Sequence, residues 1–190
     1  MLFRSFTKDG ATMIVAAGTP AQIGEVKLFN VADGNVTGDL VRTDDAVFGI
    51  ALSPDGTKLA TAGADRAIRI FELATQKQVL NIEDHADWVM DVAWSPDGKK
   101  LASASRDKTS KVFDATTGDS LVTFNGHGDA VYSVGFSTDG AQVVTAGNDK
   151  QIRIWQTADA KAVRSGMRLV SWWRRGSLGY GNIRVAHSPS

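Results

Sequence analysis

The sequence predicts an all-β chain of four-stranded antiparallel sheets, repeated about four times around a common axis. Three observations predict it. A turn signature recurs at a period of 42, as Ser53-Pro54-Asp55-Gly56, Ser95-Pro96-Asp97-Gly98 and Ser137-Thr138-Asp139-Gly140. An aspartate follows each at constant phase: Asp65, Asp107 and Asp149. The segments between turns are short, apolar and β-prone, with no sustained helical periodicity. A fixed period of this size marks a stacked or radial repeat, and such folds work through extended surfaces.

Residues 85–126 show what one repeat builds. Val89-Met90-Asp91-Val92-Ala93-Trp94-Ser95 reads as a first strand. Pro96-Asp97-Gly98 closes a turn, because Pro sets φ at its second position and Gly accepts positive φ. Lys100–Ser105 reads as a second strand, Arg106-Asp107-Lys108 as a tight polar turn and Thr109–Asp114 as a third strand. Thr116-Thr117-Gly118-Asp119 turns the chain into a fourth strand, Ser120–Phe124. The connections are too short for a parallel crossover, so each sheet is antiparallel. One such sheet cannot cover both its faces, whereas radial stacking does.

The same template covers 47–84 and 131–165. Residues 1–42 form a rougher copy that begins inside its first strand. There Thr7-Lys8-Asp9-Gly10 matches the turn, and Glu25–Asn30 matches the third strand Ile68–Glu72. Gly18 to Phe29 spans 11 positions against 8 from Gly63 to Phe71, a three-residue insertion expected in the intervening turn. The expected units are therefore 1–42, 43–84, 85–126 and 127–165.

These residues resemble the WD-repeat (tryptophan–aspartate repeat) β-propeller family, over roughly residues 3–165. The Gly-His element stands as Gly126-His127 and, weakened, as Asp84-His85; Thr43 occupies that phase one repeat earlier. The Trp-Asp element survives in fragments: Phe71-Glu72, Phe113-Asp114 and Trp155-Gln156. The resemblance implies a structural hydrogen-bond tetrad in each blade. By phase it falls on His127, Thr145, Asp149 and Trp155 in the fourth blade. In the third it falls on His85, Ser103 and Asp107, and in the second on Thr61 and Asp65 alone. The indole N–H of Trp155 is expected to donate to the hydroxyl.

The same side chains have the chemistry of a hydroxyl–His–carboxylate catalytic set. Recurrence at repeat phase speaks for structure, since an active site has no reason to repeat in neighbouring blades. No enzyme activity, cofactor or metal is expected. The three histidines stand at different phases, and each SPDG aspartate is a lone carboxylate. The resemblance implies instead a scaffold that binds a protein or peptide on the propeller top face. Candidate partner-binding residues at the three top-face phases are Phe48, Met90 and Tyr132, then Trp88, then Arg106 and Asn148. Trp and Arg are enriched in binding hot spots, and Ala46 and Ala130 at the phase of Trp88 show no packing demand for size there. Phe48, Met90 and Tyr132 are balanced between core and surface.

The 190 residues carry 21 basic and 21 acidic side chains and no cysteine, which excludes thiolate chemistry and disulfides. Zero net charge argues against nucleic acid as a partner. No stretch approaches a membrane span and the start lacks a signal-peptide core, so a cytoplasmic location is expected. Residues 166–190 break the pattern: they hold four arginines and no acid, leaving 17 basic against 21 acidic side chains, net −4, in the remainder. A further copy would require a histidine at 169 and a glycine at 182, where Leu169 and Asn182 stand. The tail is expected as coil, and its loss of phase suggests an incomplete ring. Alternatives are a fragment of a larger, multi-domain protein, or a truncated or frame-shifted product whose basic tail contacts an anionic surface. Four blades with open edges are also expected to self-associate.

Overall fold

The computed structural model describes residues 2–168. They form sixteen strands in four antiparallel sheets, each built from four consecutive strands. Blade 1 holds β1 (Leu2–Phe6), β2 (Thr12–Thr19), β3 (Ile23–Asn30) and β4 (Val36–Thr43). Blade 2 holds β5 (Val47–Leu52), β6 (Lys58–Gly63), β7 (Ile68–Glu72) and β8 (Lys77–Ile82). Blade 3 holds β9 (Val89–Trp94), β10 (Lys100–Ser105), β11 (Ser110–Asp114) and β12 (Ser120–Phe124). Blade 4 holds β13 (Val131–Phe136), β14 (Gln142–Gly147), β15 (Gln151–Gln156) and β16 (Ala162–Arg168). This is the all-β propeller architecture that the period predicts.

Local chemistry explains the turns between first and second strands. In blade 3, Ser95 Oγ donates to Asp97 Oδ1 at 2.6 Å, and Asp97 Oδ1 accepts from the Lys99 amide at 3.1 Å. The Gly98 amide closes the turn on the Ser95 carbonyl at 2.9 Å, with Gly98 at φ 71°. Blades 2 and 4 repeat this set through Ser53–Asp55 and Ser137–Asp139.

Two details differ from the sequence expectation. The insertion of blade 1 is four residues by the observed register, since Met13↔Phe29 spans 16 positions against 12 for Leu59↔Phe71, and it does not enlarge a turn. It extends the ladder, which stays in register from Thr12↔Asn30 to Thr19↔Ile23, so β2 and β3 reach 8 residues each. Continuing a ladder satisfies more backbone groups than an open loop would. In blade 4, β16 pairs with β15 as far as Gln151↔Arg168, three residues past the expected boundary at 165. The rest of the expected tail, 169–190, lies outside the described residues.

The core lies between blades. Ile14, Ala16, Val26 and Leu28 of blade 1 pack on Val47, Leu59 and Phe71 of blade 2. Ala60, Ala62, Ile68 and Ile70 of blade 2 pack on Val89, Val92, Leu101 and Phe113 of blade 3. Ala102, Ala104 and Val112 of blade 3 pack on Val131, Val134, Val143 and Trp155 of blade 4. The first strands β5, β9 and β13 lie side by side at the axis. Gly49 permits their approach: a Cβ there would sit 3.0 Å from the Asp91 Cα.

Candidate functional site

Two buried relays tie the loops at one end of the blades to the strands beneath them. That end, which carries the turns after β6, β10 and β14, is the top face. In blade 3, His85 Nδ1 lies 2.7 Å from Asp107 Oδ2, and His85 Nε2 lies 2.7 Å from Ser103 Oγ. Asp107 also accepts from the Thr109 hydroxyl at 2.6 Å and the Ala86 amide at 3.1 Å. Burial alone would raise its pKa, but His85 and Thr109 outweigh that and hold it well below the usual carboxylate range. In blade 4, His127 Nε2 lies 2.7 Å from Thr145 Oγ1, and Nδ1 lies 3.1 Å from Asp149 Oδ2. Ser103 and Thr145 are fully buried. Their hydroxyls are closed off from solvent, and the hydrogen bonds join each loop histidine to a strand and a turn.

Trp155 does not join this relay, contrary to the expectation from phase. Its Nε1 is buried without a hydrogen-bond partner. The indole instead stacks on Phe124, with centroids 5.1 Å apart and planes 4° from parallel. Packing area fixes the ring, and the face-to-face stack takes precedence over the polar edge.

Arginine supplies what sequence phase missed. Arg153 Nη1 donates to Asp149 Oδ2 and lies 2.8 Å from His127 Nδ1. Burial works to raise the Asp149 pKa, but Arg153, the Gly128 and Gln151 amides and His127 hold it at about 2. The His127 pKa is lowered by burial and by Arg153, against the opposing pull of Asp149. A lowered pKa favours the neutral ring, whose Nε2 faces the Thr145 hydroxyl and whose Nδ1 faces both the Asp149 carboxylate and the Arg153 guanidinium. In blade 2, which has Thr43 in place of histidine, Arg69 Nη2 pairs with Asp65 Oδ2 at 2.7 Å. The available signal was a basic residue at one phase, Arg69, Lys111 and Arg153. Lys111 departs from it, its Nζ donating to the Asp84 carboxylate at 2.8 Å and to the Asp84 carbonyl at 2.6 Å.

On the top face the expected candidates separate into support and surface. Phe48 is 3% exposed and Met90 9% exposed, clustered with Ala46 and Ala64. As partner-contacting residues they are corrected: they form the floor beneath Trp88. Tyr132, at the same phase, is 37% exposed. Trp88 is partly exposed, with the Phe48 ring 5.2 Å away on one side and the Arg106 guanidinium 4.6 Å from its centroid. The Arg106 amide donates to the Trp88 carbonyl at 2.9 Å. Asn148 stands at the same phase as Arg106; its amide donates to Ala130 O at 2.7 Å and its side chain to Asp129 Oδ2 at 2.7 Å. Repeat geometry thus brings Trp88 and Arg106 together and leaves Tyr132 and Asn148 on the neighbouring blade.

Among the described residues no cluster of three or more His, Cys, Asp or Glu could hold a metal, and no helix is long and apolar enough to cross a membrane. No curated protein matches the chain. The family model described as WD domain, G-beta repeat matches residues 34–72, 76–114 and 118–156. Each match starts at or just before the fourth strand of one blade and ends with the third strand of the next, so every matched unit straddles two sheets. The three consecutive matches span more than half of the 190 residues and overlie the blades that carry the repeating turns and relays: the chain belongs to the WD-repeat family.

Proposed function

We propose that this chain is an interaction scaffold that takes a protein or peptide segment on its top face, around Trp88. The WD repeats and the propeller fold support a protein-interaction scaffold. The observation that carries the finer reading is the preset conformation of Trp88 between Phe48 and Arg106. A tryptophan held this way has little side-chain entropy left to lose on binding. Its exposed edge offers apolar area, while Arg106 and Asp87, 3.7 Å apart, give a polar rim. The fully buried hydroxyls of the relays favour binding without catalysis.

Peptides selected from a display library on the full chain provide the test. Trp88→Ala is expected to weaken the selected peptides about 30- to 100-fold, the loss of a hot-spot aromatic. Moderate salt is expected to change their affinity little, because the contact is mainly apolar. Equal binding by wild type and Trp88→Ala would place the partner surface elsewhere.

A further inference from the structure

The three interfaces inside the chain use one rule: the outgoing face of a blade covers the incoming face of the next. The outgoing positions are Ala60, Ile68 and Ile70 in blade 2 and Ala102, Ser110 and Val112 in blade 3, all 0% exposed. At the same phases blade 4 holds Val144, Ile152 and Ile154, with Val144 opposite Ile154 as Ala60 is opposite Ile70. All three are partly exposed. The chemistry of a covered face is present, and among the described residues no blade covers it.

Blade 1 shows the complementary half. The incoming pairs Leu59↔Phe71, Leu101↔Phe113 and Val143↔Trp155 are all at most 4% exposed. The equivalent pair in blade 1, Met13↔Phe29, is partly exposed, and Phe6, opposite Met13, is 49% exposed. The turns agree independently. A Cβ on Gly56, Gly98 or Gly140 would meet the preceding blade, at Lys8 (3.6 Å), Pro54 (3.7 Å) or Pro96 (3.4 Å). On Gly10 it would meet nothing within 4 Å. The residue that continues the series Lys8, Pro54, Pro96 is Thr138, on blade 4.

We propose that these two faces are the halves of one interface and that a second copy of this chain covers both. Blade 4 of each copy packs on blade 1 of the other, face to face rather than by edge pairing. Such a contact is heterologous, and it forms a closed ring when the rotation closes. The four described blades of each of two copies make eight, within the range that propellers adopt. A second copy presents both the Val144–Ile154 face and the Met13–Phe29 face in the register the chain already uses three times. This surface is separate from the top face around Trp88.

Light scattering after size exclusion of the full chain tests the proposal. The wild type is expected at twice the chain mass at tens of micromolar. Phe29→Asp or Ile154→Asp, each striking both copies of the interface, is expected to weaken the dimer at least about 100-fold. Mixing the two variants is expected to restore a dimer where each alone is a monomer, since one of the two interfaces is then intact. Phe6→Asp and Ile152→Lys, at neighbouring positions of the two faces, replace either variant that loses the β-sheet circular dichroism signal. A monomeric wild type, a dimer indifferent to all four substitutions, or open-ended filaments would overturn the proposal. So would a monomer whose melting temperature falls with Ile154→Asp, because the chain's own remaining residues would then cover that face.

Discussion

His127 does its work as a neutral ring joining three elements: the loop before β13, strand β14 through Thr145 and the turn after β14 through Asp149. Replacing it with alanine removes two hydrogen bonds and leaves the Thr145 hydroxyl buried without its partner, while Arg153 still holds Asp149. A loss of about 2–3 kcal/mol follows from such an orphaned buried group. Thermal melting should therefore show His127→Ala about 4–12 °C below the wild type; an unchanged transition would mean the relay contributes nothing. Trp155→Phe discriminates between stacking and hydrogen bonding at the next position. The indole N–H is already unpaired, and phenylalanine occupies this phase in blades 2 and 3 as Phe71 and Phe113. The substitution should cost no more than about 1–2 kcal/mol, the loss of part of the stacked area. A larger loss than that of His127→Ala would show that the N–H carries a bond after all.

The hairpin turns show how far local chemistry reaches. Ser95, Asp97 and Gly98 form their turn with bonds that stay within five residues. Gly98 sits at φ 71°, and a Cβ there would find its nearest neighbour at an ordinary 3.7 Å. Gly98→Ala therefore isolates backbone strain from packing. It should cost about 1–2 kcal/mol, read from the denaturant midpoint at unchanged slope. A neutral result would mean the turn flips to accommodate the side chain. The blade 1 hairpin carries the opposite lesson. Its extra residues look like loop when counted along the chain, yet they extend the pairing, because adjacent strands offered a ladder to continue.

Between blades, the most consequential polar group is Asp91, at the axis. Its Oδ2 accepts from Ser133 Oγ at 3.0 Å and from the Val134 amide at 3.1 Å, clasping blade 3 to blade 4. Burial raises its pKa to about 6, against those hydrogen bonds and one from the Val92 amide. A raised folded-state value means the native state holds a proton that the unfolded chain releases at 3.8. The resulting contribution is complete below that value and disappears as pH rises through about 6. It amounts to at most about 3 kcal/mol, and less to the extent that water reaches the carboxyl. His127 has the opposite sign: its lowered pKa contributes stability above the ordinary histidine value and loses it on acidification. The difference in stability between wild type and Asp91→Asn separates the two, and it should decline as pH rises from 4 to 6.5. A pH-independent difference would show that Asp91 is solvated.

The period of 42 by itself determined the strand order and the turns of the described blades, and the resemblance to the WD-repeat family, laid on that period, added the His–hydroxyl–Asp partners. All of these rest on residues close in sequence or on exact repetition of one unit. Phase could not distinguish Phe48 from Tyr132, which share a position yet end up buried and exposed. Phe48 has the ring of Trp88 from the next blade over it, and among the described residues no next blade follows Tyr132. Nor could phase show that Arg153 and Arg69 complete the carboxylate sites, or that Trp155 stacks rather than donates. Those outcomes depend on what a neighbouring strand or blade places within a few ångströms. For the same reason only the tertiary structure shows Val144, Ile152 and Ile154 as a finished contact surface with no described blade upon it.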